Sequence, residues 1–469
     1  MRIPKKNELI IMVIILINTI VIAVAVFTMF SPKDTPSSIK KADYQEALKY
    51  SIFFYDANKC GRDVAVDNVF DWRGPCHVGD GKDLNLDLTG GFHDGGDHVK
   101  VGINQGYTAS ILGWNLYTYR DIFDSTGNTK KLISTLKYFT DYFLKCHTNE
   151  STFYYGIGDE IEDHNYWGPP ENQSLDRPTQ LVADLNHPAS DVCGETSAAL
   201  SLMYLNYRDT DTGYAVKCLT AAKELYRMGK ENRGYGQIQS SYHSGSFYDD
   251  LSWAALWLYK IEHDKQYLND AEEFVVKKSK YNNNPLKNKW TLCWDDVTLA
   301  CLAELYTITK NPEYRDALDY NLNYWKNDLK QTRGGLKYLD KSGVLRYAAN
   351  ASLIAMKWYK TTNDKSLKVF AKSQIDYILG ANPSKTSYII GFGKKYPQNV
   401  SHRAANGYDS TEWDKQKRSK YVLLGAMVSG PSDKDQFIDN VKNYEYTEAI
   451  IDFNAGLVGA LASIIQDAG

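Results

Sequence analysis

The sequence contains no run of basic residues, and its 54 Lys and Arg are balanced by 57 Asp and Glu, for a formal net charge of -3. A nucleic-acid partner is therefore not expected, because phosphate binding needs a basic surface. Strictly alternating polar and apolar residues are almost absent, which argues against a protein built from half-buried strands. Linkers rich in Pro, Gly and Ser are lacking after residue 42, so we predict one domain over residues 43–469.

Long apolar runs are confined to the N-terminus. The basic segment MRIPKKNE precedes Leu9–Phe30, which is apolar except for Asn18, Thr19 and Thr28 and is long enough to span a bilayer. A secretory signal has a shorter apolar region that ends at small residues, and Ala23-Val24-Ala25 fits such an end. Residues 1–30 are therefore a signal peptide or a membrane anchor, and residues 31–42 a polar linker. Both interpretations predict an extracellular protein, secreted or anchored, that contacts the membrane only through this segment.

From Tyr44 onward, apolar residues recur at helical spacing. Examples are YQEALKYSIFFY, LSWAALWLYKIE and IIDFNAGLVGALASII, and we count about eleven or twelve such segments. They share small and aromatic residues but no sequence repeat, which favours a closed helical barrel over a solenoid. We therefore predict an all-α fold, in which the segments rich in glycine and aspartate between the helices form one functional rim.

Two carboxylates lie close together in the segment DLTGGFHDGGDHVKVG. Asp94 and Asp97 are preceded and separated by glycines, which let the backbone approach a ligand closely. Such a pair can bind a metal or a water molecule, and one member can act as a general base. By itself, the pattern Asp-Gly-Gly-Asp is more often a turn than a site, so its interpretation depends on the rest of the chain.

Glu448 lies just before an apolar segment that we predict to be a helix over residues 449–465. A carboxyl group at the edge of an apolar wall has a raised pKa, which suits a general acid. The alternative is a glutamate that only complements the dipole at the N-terminus of that helix.

Eight blocks spread over residues 43–469 together resemble one enzyme family. They are DLTGGFHDGGDHVKVG, YYGIGDEIEDHNYWG, DRPTQLVADLNHPASDVCGETSAAL, DLSWAALWLYK, KWTLCWDD, LRYAANASLIA, SYIIGFG and EAIIDFNAG. The chain resembles glycoside hydrolase family nine, the inverting cellulases, which implies an (α/α)6 barrel that acts on a β-1,4-glucan polysaccharide or oligosaccharide. The resemblance implies Asp97 as general base, Asp94 as its partner in holding the attacking water, and Glu448 as general acid. Inversion needs about 6.5 to 9.5 Å between the base and acid carboxyl groups.

The resemblance also implies sugar-binding positions along a cleft, namely His164, Trp167, Trp290, Arg346, Tyr347, His402, Arg403 and Asp439. The alternative for each is a structural aromatic or a surface charge, since the 35 Tyr and 10 Trp suit a packed core as well as stacking on sugars. Four positions depart from the family. Ser401 and Ser342 replace a histidine and a tryptophan, and Phe453 and Thr447 replace a tyrosine and an asparagine. These changes affect the expected subsites and leave the two-carboxylate chemistry untouched.

The seven cysteines are an odd number, so at least one is unpaired in an exported chain. Most lie in apolar, helix-like contexts that are typical of buried thiols. Cys60, Cys76, His77 and His93 differ, because the pattern C-x15-C-H-x15-H can close a tetrahedral zinc site, and some members of the family look similar here. A Cys60–Cys76 disulfide is the alternative. Since a disulfide leaves both histidines unexplained, we predict a structural zinc ion that holds the loop of Asp94 and Asp97.

A second metal is implied by the resemblance. Asp249, Asp250 and Asp295 match oxygen ligands of a calcium site, with backbone carbonyls near Gly245 and Ser246. The alternative is that Asp249 and Asp250 only cap the helix that follows them.

The combined prediction is a monomeric, exported endo-β-1,4-glucanase that hydrolyses internal bonds with inversion. One alternative is an exo-acting hydrolase that trims cello-oligosaccharides or another β-linked glycan. Another is a glycan-binding relative that has lost catalysis, but such a protein would not need Asp94, Asp97 and Glu448 together, and all three are present.

Overall fold

The computed structural model describes residues 39–237, 242–280 and 283–468. Within these residues the helices lie in the segments where the apolar spacing predicts them. The predictions for residues 1–30, and those for the linker up to residue 38, lie outside the described residues. The first described helix begins at Lys41. None of the described helices combines the length and the apolar character that a membrane span requires.

Twelve helices of eleven residues or more occur in the described part of the chain, in agreement with the number estimated from the sequence. In chain order they are α1 (Lys41–Phe53), α2 (Gly102–Thr118), α3 (Thr129–Cys146), α4 (Ser190–Tyr207), α5 (Thr212–Glu231), α6 (Tyr248–Glu262), α7 (Lys265–Val275), α8 (Thr298–Thr309), α9 (Pro312–Asn323), α10 (Val344–Thr362), α11 (Lys365–Ile378) and α12 (Ile451–Asp467). Shorter helices lie at Tyr55–Asn58, Arg120–Ser125, Glu160–Asn165, Arg403–Asn406 and Tyr444–Thr447.

The even-numbered helices form a closed inner ring. Each packs against the next in the order α2, α4, α6, α8, α10 and α12, and α12 returns to α2. They are buried on nearly all sides, as in α12, where every residue from Ile451 to Ile465 is buried. The odd-numbered helices lie outside and are amphipathic, as in α7, which buries only Asp270, Ala271, Phe274 and Val275. A helix that is apolar all round belongs inside and one with a single apolar face belongs outside, so the predicted (α/α)6 barrel is confirmed.

Small residues allow the inner helices to approach closely. A Cβ atom added at Gly456 of α12 would lie 1.6 Å from Asn350 Oδ1 of α10, and one added at Gly459 would lie 2.2 Å from Asn115 Oδ1 of α2. Those two asparagines donate to the carbonyl oxygens of Leu292 and Ala455. The glycines therefore make room for polar side chains that tie the ring together.

A small antiparallel sheet lies beside the barrel and was not predicted. Its strands are β1 (Lys100–Val101), β2 (His147–Asn149), β3 (Thr152–Ile157) and β4 (Thr179–Ala183). The central strand β3 pairs with the other three, with Tyr154 opposite Val182. Strands of two to six residues are too short to show a clear alternation in the sequence. The sheet supports the loop that leads from Asp97 into α2.

Candidate active site

A cleft of about 680 Å³ lies over the N-terminal ends of the inner helices. Asp94 and Asp97 precede α2, Trp290 precedes α8, and Glu448 precedes α12. Because the first N–H groups of a helix point out of its N-terminus, this end of the barrel carries several positive helix-dipole ends. The lining residues include Asp94, Asp97, Glu160, His164, Trp167, Tyr242, Trp290, Trp294, Arg346, Tyr347, Arg403, Trp413, Tyr444 and Glu448.

Asp94 is buried and held by two donors. Its Oδ1 accepts a hydrogen bond of 2.6 Å from Asn104 Nδ2 on α2, and its Oδ2 accepts one of 2.6 Å from the Tyr242 hydroxyl. Its backbone carbonyl accepts from the N–H of Ile451, the first residue of α12. Burial and the nearby Asp97 raise the pKa of Asp94, against the two donors, which lower it. Neither Asn104 nor Tyr242 lies in a recognisable sequence motif, so neither was predicted as a site residue.

The two proposed catalytic carboxyl groups differ in pKa. Removal from water raises the pKa of Asp97 to about 6, and the charge of Asp163 adds to this while Arg403 and His164 oppose it. Removal from water and the charge of Asp97 raise the pKa of Glu448 to about 7. Asp97 is therefore the first of the two to lose its proton as the pH rises. This order fits a base at Asp97 and an acid at Glu448.

The loop of Asp97 is pressed against the segment that follows residue 400. The backbone N–H of Arg403 donates to the Gly96 carbonyl at 3.0 Å. A Cβ atom at Gly96 would lie 2.4 Å from the Ser401 carbonyl oxygen and 3.0 Å from His402 Cα. Only glycine fits this close approach, which explains one of the glycines in the motif.

Six of the eight positions predicted to bind sugar line the cleft, namely His164, Trp167, Trp290, Arg346, Tyr347 and Arg403. Arg346 is held by Asp452 Oδ2 at 2.8 Å and by the Tyr347 hydroxyl at 2.8 Å. The Tyr347 ring in turn meets the edge of Trp290, with 5.2 Å between centroids. These contacts keep the side chains in place before any substrate arrives.

His402 does not line the cleft, contrary to the prediction. Its backbone is extended, so its side chain points away from the direction taken by Ser401 and Arg403, which do line the cleft. The ring accepts from Ala405 N–H at 3.2 Å and lies 3.2 Å from Asn58 Oδ1. His402 therefore caps the helix Arg403–Asn406 and serves a structural role.

Asp439 also lies outside the set of residues that line the cleft. Its two carboxylate oxygens accept hydrogen bonds of 2.8 and 2.9 Å from the backbone N–H groups of Gln398 and Asn399. An exposed carboxylate engaged in this way orders the loop before Ser401. The structure thus shows Asp439 as a support for the loop.

The four departures from the family pattern fall into two groups. Ser342 and Ser401 line the cleft, so these changes alter its surface. Phe453 packs below the Arg346 guanidinium at 5.0 Å, and the Thr447 hydroxyl donates to the carbonyls of Asn440 and Asn443. Phe453 and Thr447 therefore lie beneath the surface of the cleft, where they contact groups that support that surface.

Trp413 is a cleft residue that sequence reasoning missed. Its ring stacks on Trp167 with 3.9 Å between centroids and 19° between planes. The Arg403 guanidinium lies 5.5 Å from the Trp167 centroid, and Trp167 Nε1 donates to Asn406 Oδ1 at 3.0 Å. Trp413 thus covers one face of Trp167, which leaves that face closed to a sugar. A tryptophan in a polar loop was the only signal available in the sequence.

Cys60, Cys76, His77 and His93 form a compact cluster. One ligand atom of each lies within 4.8 Å of every other, with 3.0 Å between His77 Nδ1 and His93 Nε2. Ligands of a tetrahedral zinc ion are separated by about 3.3 to 3.8 Å, given the usual Zn–S and Zn–N distances. All seven cysteines, each within the described residues, carry free thiols. The four donors and their spacing therefore suit a zinc ion.

Asp249, Asp250 and Asp295 form a second group of acidic residues. Burial and neighbouring carboxylates raise the pKa of Asp250, and that of Asp295 to about 8. Asp249 Oδ1 and Asp250 Oδ1 are buried without a hydrogen-bond partner. A cation would relieve this repulsion. The carbonyls of Gly245 and Ser246, expected as ligands, already accept from Lys280 N–H and the Ser244 hydroxyl.

Comparison with known proteins agrees with this geometry. The family model for glycosyl hydrolase family 9 matches residues 44–461. Endoglucanase A of Bacillus pumilus is 36% identical over 93% of this chain and 69% of its own length. The crystal structure of the cellulase Cel9M of C. cellulolyticum is 53% identical, with a TM-score of 0.88, over 91% of this chain and 99% of that one. A structure of Cel9M in complex with cellobiose superposes with a TM-score of 0.89.

The family model covers nearly the whole described barrel. The relatives align with more than 90% of this chain, and their sequence identities of 36% and 53% are too high for a likeness of fold alone. On these grounds the chain belongs to glycosyl hydrolase family 9.

Proposed function

We propose that this chain hydrolyses internal β-1,4 bonds of cellulose and related β-glucans with inversion, using Asp97 as base and Glu448 as acid. The chain is an endo-β-1,4-glucanase by its family and its relatives. The observation that supports these residue roles is that both carboxyl groups line one cleft with pKa values of about 6 and about 7. Aromatic and arginine side chains along the same cleft suit a sugar chain.

The reaction is a single displacement at the anomeric carbon. Ionised Asp97 takes a proton from a water molecule, and Asp94, which Asn104 and Tyr242 hold in place, accepts a hydrogen bond from the same water. The water oxygen bonds to the anomeric carbon while the bond to the leaving oxygen breaks, and Glu448 gives its proton to that oxygen. Since water enters on the face opposite the leaving group, the configuration inverts.

Product stereochemistry and one pair of variants test this mechanism. Proton NMR of the first product from a β-linked cello-oligosaccharide should show the α-anomer. Asp97→Asn should lower kcat at least a hundredfold, whereas Asp87→Asn, an exposed carboxylate of the same segment outside the cleft, should leave it unchanged. An early β-anomer, or full activity of Asp97→Asn, would exclude Asp97 as the base.

We further propose that Cys60, Cys76, His77 and His93 bind one structural zinc ion. The close approach of their ligand atoms supports this, and four protein ligands leave no open position for a reacting water. The purified protein should contain about one zinc per chain, and Cys60→Ser should lower the melting temperature more than Cys218→Ser, which removes a buried thiol elsewhere. Zinc-free protein with equal melting temperatures for both variants would refute the proposal.

Calcium at Asp249, Asp250 and Asp295 is a separate proposal, supported by their burial and mutual repulsion. Removal of calcium with EGTA should lower the melting temperature of the wild type, and added calcium should restore it. Asp295→Asn should abolish this response. Equal melting temperatures with and without calcium would refute a calcium site at these residues.

We also propose that residues 1–30 export the protein, on the basis of the apolar run Leu9–Phe30 behind a basic segment. The basic residues Arg2, Lys5 and Lys6 favour a cytoplasmic N-terminus. N-terminal sequencing of the mature protein distinguishes the two forms. A start near Val26 identifies a cleaved signal, and an intact N-terminus in the membrane fraction identifies an anchor. Recovery of the intact chain in the cytoplasm would contradict export.

A further inference from the structure

Asp163 is a buried carboxylate behind the cleft that the reaction described above does not use. It is 3% exposed and lies on the short helix Glu160–Asn165, directly before the cleft residue His164. It accepts hydrogen bonds at both oxygens. Gln173 Nε2 donates to its Oδ1 at 2.7 Å, and Arg403 Nη1 donates to its Oδ2 at 2.6 Å.

A third hydrogen bond connects Asp163 to the segment of the proposed base. The backbone N–H of His98, the residue after Asp97, donates to Asp163 Oδ2 at 3.1 Å. On the other side of Asp97, the Gly96 carbonyl accepts from the Arg403 N–H at 3.0 Å. Since Arg403 also binds Asp163 through its side chain, these contacts close a ring of hydrogen bonds around Asp97.

We propose that Asp163 is a positioning residue, which together with Arg403 clamps the backbone on both sides of Asp97 and so sets the place of the base in the cleft. This inference rests on the proposed role of Asp97. The ring explains why the Asp97 side chain can hold its position although its own Oδ1 is buried without a hydrogen-bond partner. A fixed base matters because a displacement of about 1 Å at the reacting atoms can cost about a hundredfold in rate.

The charge of Asp163 also acts on Asp97. Burial alone would raise the pKa of Asp163, but His98 and Arg403 lower it, so the group is ionised in the folded protein. Its negative charge raises the pKa of Asp97, and Arg403 lowers it. Loss of the Asp163 charge would also leave Arg403 uncompensated, and both effects favour ionised Asp97. The charged and titratable groups that face Asp97 are Asp94, Glu160, Asp163, His164, Arg403 and Glu448.

The test separates position from charge by two substitutions, with kcat and kcat/KM measured against pH on cellopentaose, a neutral substrate. Asp163→Asn keeps the size but loses the charge. It should lower kcat at least tenfold and move the acidic limb of the profile down by about one pH unit. Asp163→Glu keeps the charge but displaces it, so kcat should fall while the acidic limb stays in place.

Asp270→Asn is the matched control. Asp270 is also buried and ion-paired with Lys230, and it accepts a hydrogen bond from the Tyr226 hydroxyl, but it lies on the outer helix α7. This variant should lower the melting temperature and leave the acidic limb unmoved. A folded Asp163→Asn enzyme with an unmoved limb or an unchanged kcat would overturn the proposal. If that variant does not fold, an unchanged kcat in Asp163→Glu overturns it. Full activity of Asp97→Asn would instead refute the role of Asp97 itself.

Discussion

The pH dependence of the reaction gives the most direct test of which carboxyl group is the acid. Asp97 must be ionised and Glu448 protonated in the active form, and their pKa values are raised to about 6 and about 7. The fraction of free enzyme in this form is largest near pH 6.5, at about 60%, and falls to about 10% at about pH 5 and about pH 8. The profile of kcat/KM should therefore be a narrow bell.

Glu448→Gln should remove the alkaline limb of the pH profile. The variant cannot donate a proton, so kcat on cellopentaose should fall at least a hundredfold. A dinitrophenyl cellobioside has a leaving group that needs little protonation, so it should lose much less rate. On this substrate the alkaline limb should disappear, and the acidic limb, which belongs to Asp97, should remain. In the wild type, the apparent pKa values of the two limbs are properties of the Asp97–Glu448 pair, because the charge of Asp97 contributes to the raised pKa of Glu448.

The assay is release of dinitrophenolate followed by absorbance between about pH 4.5 and about pH 9, with Asp97→Asn as the comparison. Asp97→Asn should depress both substrates alike, because attack by water is needed for each. An alkaline limb that persists in Glu448→Gln on the dinitrophenyl substrate would refute Glu448 as the acid. A rate loss equal on both substrates would do the same.

Two further predictions concern residues outside the catalytic pair. Trp413→Ala removes a cleft-lining ring that holds Trp167 in place. The substrate must then order the Trp167 ring at a cost of about 1 kcal/mol, so KM for cellopentaose should rise about fivefold with kcat within about twofold. A tenfold loss of kcat at constant KM would contradict this. Glu304 is buried between Lys260 and Lys357, which lower its pKa from 4.5 to about 2 despite burial. Because its pKa is depressed in the folded state, ionised Glu304 stabilises the fold above pH 4.5, and this stabilisation is lost as the pH falls toward 2. Glu304→Gln should therefore lower the free energy of unfolding by about 3 kcal/mol at pH 7, and its difference from the wild type should shrink below about pH 4. If urea unfolding gives the same difference at pH 7 and below pH 4, packing and not charge is responsible.

Local patterns were sufficient for the helices, whereas the choice of acidic residues depended on the resemblance to a known family. The apolar spacing predicted about eleven or twelve helices because helix burial is periodic along the chain, and the described residues contain twelve helices of eleven residues or more. The motifs brought Asp94, Asp97 and Glu448 into view, and the cleft contains all three. The small sheet was missed, since its strands are too short to carry a pattern.

Orientation and distant pairing were not predictable in the same way. His402 and Arg403 are adjacent in sequence, but only the path of the backbone decides that one points inward and the other into the cleft. Trp413 meets Trp167 across almost 250 positions of chain, a contact that no local signal records.

The sequence by itself determined that this chain is built from helices, because apolar residues recur at helical spacing, and the lack of a sequence repeat favoured a closed helical barrel. It also determined which residue types are available for two-carboxylate chemistry and for a Cys and His metal site. Only the tertiary structure decided that Asp163, 66 residues after Asp97, closes a ring of hydrogen bonds around it through His98 and Arg403. Such contacts depend on how the loops fold over the N-terminal ends of the inner helices, and burial there sets the pKa values on which the chemistry depends.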